Sequence, residues 1–106
     1  MGKSKLKVIC GLKVVDAVLT EGDTGISFEK GISLAVYNRF ELVGFTSSDV
    51  QLLIGNGVTD VEEDANTTTI RFENGCVFRI DMRDGAYTGP EAMQLRVPGD
   101  SIVIWN

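Results

Sequence analysis

Four carboxylates crowd into five residues of the stretch DVEEDAN: Asp60, Glu62, Glu63 and Asp64. Oxygen-rich loops hold calcium when their ligands fall at fixed intervals around a glycine at the tight bend. This run contains no glycine and lacks that spacing, and DMRDG, at Asp81–Gly85, shares only a fragment of the motif. The stretch therefore reads either as a solvated loop between strands or as a patch that steers a basic partner, because clustered carboxylates raise association rates. Arg71, Arg79, Asp81 and Arg83 make a second charged group, spaced to share the outward side of a strand pair. It reads as a wet, salt-bridged sheet face or, more sharply, as a recognition patch.

Other chemistry is scarce. The chain has no histidine, which removes Ser–His and Cys–His nucleophile systems and His-ligated zinc. Cys10 and Cys76 have no metal-ligand spacing; each sits in an apolar run and reads as a small buried hydrophobe, with a disulfide the lesser alternative. Two acids working as a pair remain a formal route to glycoside hydrolysis, but nothing singles out such a pair. No Gly-rich phosphate loop or nucleophile elbow is present. Trp105 and Tyr87 are candidate binding aromatics, although Trp105 ends an alternating strand and is expected to cap the core. The expectation is a non-enzymatic protein with no metal and no cofactor.

The net charge of −5 opposes binding to nucleic acid or an anionic membrane surface, both of which need positive charge. No apolar run reaches the ~18 residues of a membrane span. The first twenty residues begin like a signal peptide, but Lys13 and Asp16 break the apolar region. Gly2 lies where myristoylation would occur, yet Leu6 stands where that motif wants Ser or Thr. A cytoplasmic protein is the resulting expectation.

The elements that would position these charges are written twice. Displaced by 44 residues, the chain matches itself at Gly11/Gly55, Val14/Val58, Asp16/Asp60, Thr24/Thr68, Ile26/Ile70, Phe28/Phe72, Glu29/Glu73, Gly31/Gly75 and Arg39/Arg83. Glu-Lys-Gly and Glu-Asn-Gly read as three-residue hairpin loops closed by a left-handed glycine. That geometry sets Ile26 opposite Leu34 and Ile70 opposite Phe78, giving each hairpin one apolar face. A two-residue Asn-Gly loop would scatter the apolar residues over both faces. The outward face of the first hairpin is then Ser27, Ser33, Ala35 and Tyr37; that of the second is Arg71, Val77, Arg79 and Asp81.

Alternation at Leu6/Val8 and at Met93/Leu95/Val97, with glycine turns at Gly11, Gly55 and Gly99, predicts further strands. The whole predicts a mainly β, antiparallel sandwich or barrel-like meander of about ten short strands with internal duplication. One or two short helices are expected in TGPEAM, where Thr88 and Glu91 form a capping-box pattern, or in SSDVQL. The chain, 1–106, reads as a single domain, with repeat units at approximately 5–43 and 49–87 and a closing hairpin at 92–106. Its small-residue face leaves monomer and homodimer both open.

The run RIDMRDG…GPEAM and the ending IVIWN lie within Thr69–Asn106. This stretch resembles the C-terminal half of a family of small, largely uncharacterised bacterial proteins assigned as immunity proteins of polymorphic toxin systems. The resemblance covers a little over a third of the chain and carries no catalytic motif. It implies a protein that binds and masks a toxin domain, and a basic toxin domain is the expected partner. A small-molecule-binding β domain and an uncharacterised structural or interaction protein are the alternatives.

Overall fold

The apolar alternation of the two hairpins is realised in the computed structural model, which describes residues 5–20 and 22–106. Gly2, on which the acylation motif turns, lies outside the described residues. Among the described residues nine strands form: β1 (Val14–Thr20), β2 (Asp23–Phe28), β3 (Ser33–Val36), β4 (Phe40–Val43), β5 (Val58–Glu63), β6 (Thr67–Phe72), β7 (Val77–Asp81), β8 (Met93–Arg96) and β9 (Val103–Trp105). One antiparallel sheet runs β1-β2-β3-β8-β9 and the other β4-β7-β6-β5, packed as a sandwich rather than a closed barrel. Ile26, Phe28 and Leu34 of the first hairpin and Ile70, Phe72 and Phe78 of the second are buried in one apolar cluster. Phe40 meets Phe78 edge-on, with ring centroids 5.1 Å apart. Among the described residues no helix is long and apolar enough to cross a membrane.

The hairpin registers are those that the pattern demands. Thr24 faces Val36 and Ile26 faces Leu34, while Thr68 faces Ile80 and Ile70 faces Phe78. Gly31 and Gly75 take φ of +74° and +90°, as a left-handed loop closure requires. The duplication continues past the hairpins. Val14 faces Phe28 with a bulge before Asp16, and Val58 faces Phe72 with a bulge before Asp60.

The fourth strand of each four-stranded set comes from the other unit. β4 follows the first hairpin in sequence but pairs with β7, and β8 follows the second but pairs with β3. A reciprocal clasp ties the units again. Gly11 N–H donates to Val58 O and Gly55 N–H to Val14 O, both at 2.8 Å; Val58 N–H donates to Leu12 O and Val14 N–H to Asn56 O, both at 3.0 Å. Each bond maps onto its partner by the 44-residue displacement with the two units exchanged. The fold is thus pseudo-twofold and strand-swapped.

Two expected elements are corrected, while the short helix expected in SSDVQL is present. The Leu6/Val8 segment is a 3₁₀ turn, Lys5–Ile9, and not a strand: Leu6 and Ile9, three apart, are fully buried while Val8 is exposed. In the second unit the corresponding segment is the 3₁₀ turn Ser47–Leu52, started by a capping box between Thr46 and Asp49. TGPEAM is not helical, because its groups bond elsewhere. Thr88 Oγ1 donates to Tyr37 O at 3.1 Å, Glu91 accepts from Gln94 Nε2 at 2.8 Å, and Ala92 N–H donates to Trp105 O at 2.7 Å. Cys76 is buried as expected, Cys10 is only partly so, and both are free thiols.

Trp105 packs against the core from β9, and its indole N–H donates to Glu63 Oε1 on β5 at 2.8 Å. That bond joins an edge of one sheet to an edge of the other.

Candidate binding cleft

Strand alternation sends Glu41 of β4, Arg79 of β7 and Thr69 of β6 to the same side of the second sheet, in direct register. Two residues along, Asp81 faces Thr67, and its N–H donates to Arg39 O at 3.0 Å. At this end of the sheet an open cleft of about 490 Å³ is lined by Arg39, Phe40, Glu41, Asn66, Thr67, Arg79, Asp81 and Arg83. A groove of about 270 Å³ adjoins it, sharing Arg39, Asp81 and Arg83 and reaching Gly85 and Ala86.

Each guanidinium in the cleft is oriented by a neighbour. Arg83 donates through Nε to Asp81 Oδ1 at 3.0 Å and through Nη2 to Oδ2 at 2.8 Å, a bidentate pair. Arg79 Nη1 reaches Glu41 Oε1 at 3.2 Å, and Arg39 Nη2 donates to Gly85 O. Asn38, fully buried, anchors the strand entry by donating through Nδ2 to Asp81 O at 2.8 Å. Hydrogen bonds from the Arg83 side chain and then its backbone N–H hold the Asp81 carboxyl down at about 2, and the same pairing raises Arg83. Asp81 is therefore a weak base with no proton to donate near neutral pH. The chemistry on offer is oxyanion recognition by guanidinium groups.

The eight charged candidates from the sequence divide differently from their grouping there. Arg79, Asp81 and Arg83 do converge. Arg71 lies apart, held between Asp60 at 3.5 Å and Glu62 in a close ion pair. Asp60 also meets Lys7 at 3.6 Å. Glu63 accepts the Trp105 indole, and Asp64 Oδ1 accepts the backbone N–H groups of Asn66 and Thr67 at 2.8 and 2.9 Å, closing the β5–β6 turn. The acidic run is thus largely engaged in pairing and in turn formation. Among the described residues no cluster of Cys, Asp and Glu is placed to hold a metal ion.

Sequence reasoning missed Arg39, Glu41, Asn66 and Thr67 as neighbours of this site. One signal was present: Arg39 is the repeat equivalent of Arg83. Because β4 crosses to β7, the equivalent arginines of the two units come to line one cleft. Comparison of the chain with models of known protein families, with curated proteins and with solved structures finds no match.

Proposed function

We propose that this chain is a non-catalytic protein-binding module, and that the charged outer face of the second sheet, centred on the cleft, is its contact surface. The observation that carries this reading is the cleft itself: open, polar and ringed by guanidiniums already held in place. Small-molecule sites enclose their ligand in mostly apolar walls, whereas an open, pre-oriented charged face suits a protein partner. Within that class, the resemblance of Thr69–Asn106 to immunity proteins favours a role in masking a toxin domain. The overall charge of −5 would steer encounter with a basic partner from a distance, while the cleft supplies contacts at close range.

The test is to purify this chain with the product encoded beside its gene. The expected result is a one-to-one complex by size exclusion and calorimetry, an association rate that falls with added salt, and protection of cells co-expressing the two. Absence of both complex and protection overturns the proposal.

A further inference from the structure

We infer that the Arg39–Arg79–Arg83 cleft receives a carboxylate-bearing segment of the partner protein; this deepens the binding-module reading and rests on it. The three guanidiniums arrive from different places, ahead of β4, on β7 and after β7, yet line one cleft. A guanidinium carries five N–H donors in a planar fork matched to a carboxylate. Its partners here take one from Arg39, one from Arg79 and two from the Arg83 side chain, so donors remain for a ligand.

One carboxylate already marks where a ligand's would go. Glu41 meets Arg79 with the two side chains 66% and 48% exposed, and exposed pairs of this kind contribute little. An incoming carboxylate can displace Glu41 at little cost. Arg83 differs, because bidentate Asp81 keeps it as a fixed wall. Phosphate polymers fit less well: the lining holds three arginines against Glu41 and Asp81, a local charge of 3 − 2 = +1, on a chain of net charge −5. One or two carboxylates match that balance, and a nucleic acid backbone does not.

The test uses the 106-residue chain labelled with ¹⁵N and four probes: a blocked Gly-Gly-Glu-Glu-Gly-Gly peptide, its Gln counterpart, inorganic phosphate, and duplex DNA. The Nε–Hε signals of Arg39, Arg79 and Arg83 should shift saturably with the Glu peptide and not with the Gln peptide. Arg39→Gln and Arg79→Gln should each weaken binding about tenfold, or ~1.4 kcal/mol. Arg71→Gln, which is outside the cleft lining and already paired with Asp60 and Glu62, should leave it within about twofold.

Failure of the Glu peptide to bind, equal binding of the Gln peptide, tighter binding of phosphate or DNA, or an Arg71→Gln loss equal to that of Arg79→Gln overturns the inference. The same variants separate it from the broader proposal. If the neighbouring product binds wild type and Arg39→Gln/Arg79→Gln equally, the cleft assignment falls and the binding module stands. If the Glu peptide binds in the cleft while no protein complex forms, the cleft stands and the binding module falls.

Discussion

Glu29 and Glu73 are equivalent residues of the two units, and each closes the clasp where the units meet. Glu29 Oε1 accepts the Lys13 N–H at 2.8 Å, and Glu73 Oε1 accepts the Gly57 N–H at 2.9 Å. Each glutamate also donates its own backbone N–H to the carbonyl of the same residue, at 3.0 and 2.9 Å. Lys13 and Gly57 in turn form a bridge with one another, so the four residues make one connected unit. The environments differ: Gly57 is buried and Lys13 is exposed. Truncating Glu73 to alanine strands a partly buried N–H donor, which costs ~1–3 kcal/mol. Truncating Glu29 leaves an N–H that water can reach, at ~0.5–1 kcal/mol.

The expected values are therefore ~2 kcal/mol for Glu73→Ala and ~0.7 kcal/mol for Glu29→Ala, with Glu73→Gln recovering most of the loss because an acceptor remains. For a chain of this length ~2 kcal/mol lowers Tm by roughly 10 °C. The two glutamates meet through the Lys13–Gly57 bridge, so the double variant should cost less than the sum, by ~0.5 kcal/mol or more. Urea unfolding followed by the single tryptophan, Trp105, with far-UV circular dichroism as a second probe, gives all four values provided the m-value is constant. Additivity within ~0.3 kcal/mol, or a Glu29→Ala loss as large as that of Glu73→Ala, would refute the clasp.

Asp81 has its folded-state pKa depressed from 3.8 to about 2, so the unfolded chain binds more protons between those values and the stability contributed by this group is lost as pH falls from about 3.8 to about 2. Urea midpoints should drop less steeply across that window in Asp81→Asn, and carboxyl ¹³C titration should place Asp81 near 2 in wild type and higher in Arg83→Gln. Lys30 is left-handed at φ +67°; Lys30→Gly removes ~1–2 kcal/mol of strain and adds ~0.4–1 kcal/mol of unfolded-state entropy, for an expected net gain of ~0.5 kcal/mol by urea unfolding. Gly75→Ala meets only backbone strain, whereas a Cβ at Gly31 would also lie 3.1 Å from Pro98 Cγ. Calorimetry should find both variants destabilised, with Gly31→Ala the lower-melting of the two.

The hairpins were legible because their residues leave one workable register. Phe28, Ile26 and Thr24 alternate toward one side, as do Phe72, Ile70 and Thr68, and a slip of one residue would turn all of them to water. The 3₁₀ turn at Lys5–Ile9 was not legible, for an equally local reason. Leu6 and Val8 satisfy a period of two, Leu6 and Ile9 a period of three, and only the packing of the other unit against this segment selects the second. β4 was missed because Phe40–Val43 follows a hairpin that already looked complete. The supposed strand at Leu6/Val8 became a 3₁₀ turn, the second unit's counterpart took the short-helix form expected of SSDVQL, and one unforeseen strand appeared, so that the described residues hold nine strands where about ten were expected. The crossing of β4 and β8 lies beyond any periodicity, since alternation says which face a residue takes and nothing about which strand it pairs with.

The same limit governs the candidate site. Asp60 and Arg71 read as members of separate patches because they lie eleven residues apart in sequence; pairing of β5 with β6 makes them direct neighbours. The acidic cluster therefore spends much of its charge internally, and the surface proposed to meet a partner lies at the far end of β7. There the swap does what no stretch of sequence could announce: it carries Arg39 of the first unit to the end of the sheet that holds Arg83 of the second. In a duplicated fold the positions under fold constraint come in equivalent pairs, and Glu29/Glu73 are such a pair, each bonded to its own clasp. Arg39 and Arg83 are equivalent in sequence but differently held, one by a carbonyl oxygen and one by a carboxylate. That divergence between copies, at a cleft lined by both units, is the physical ground for testing the proposed binding function there.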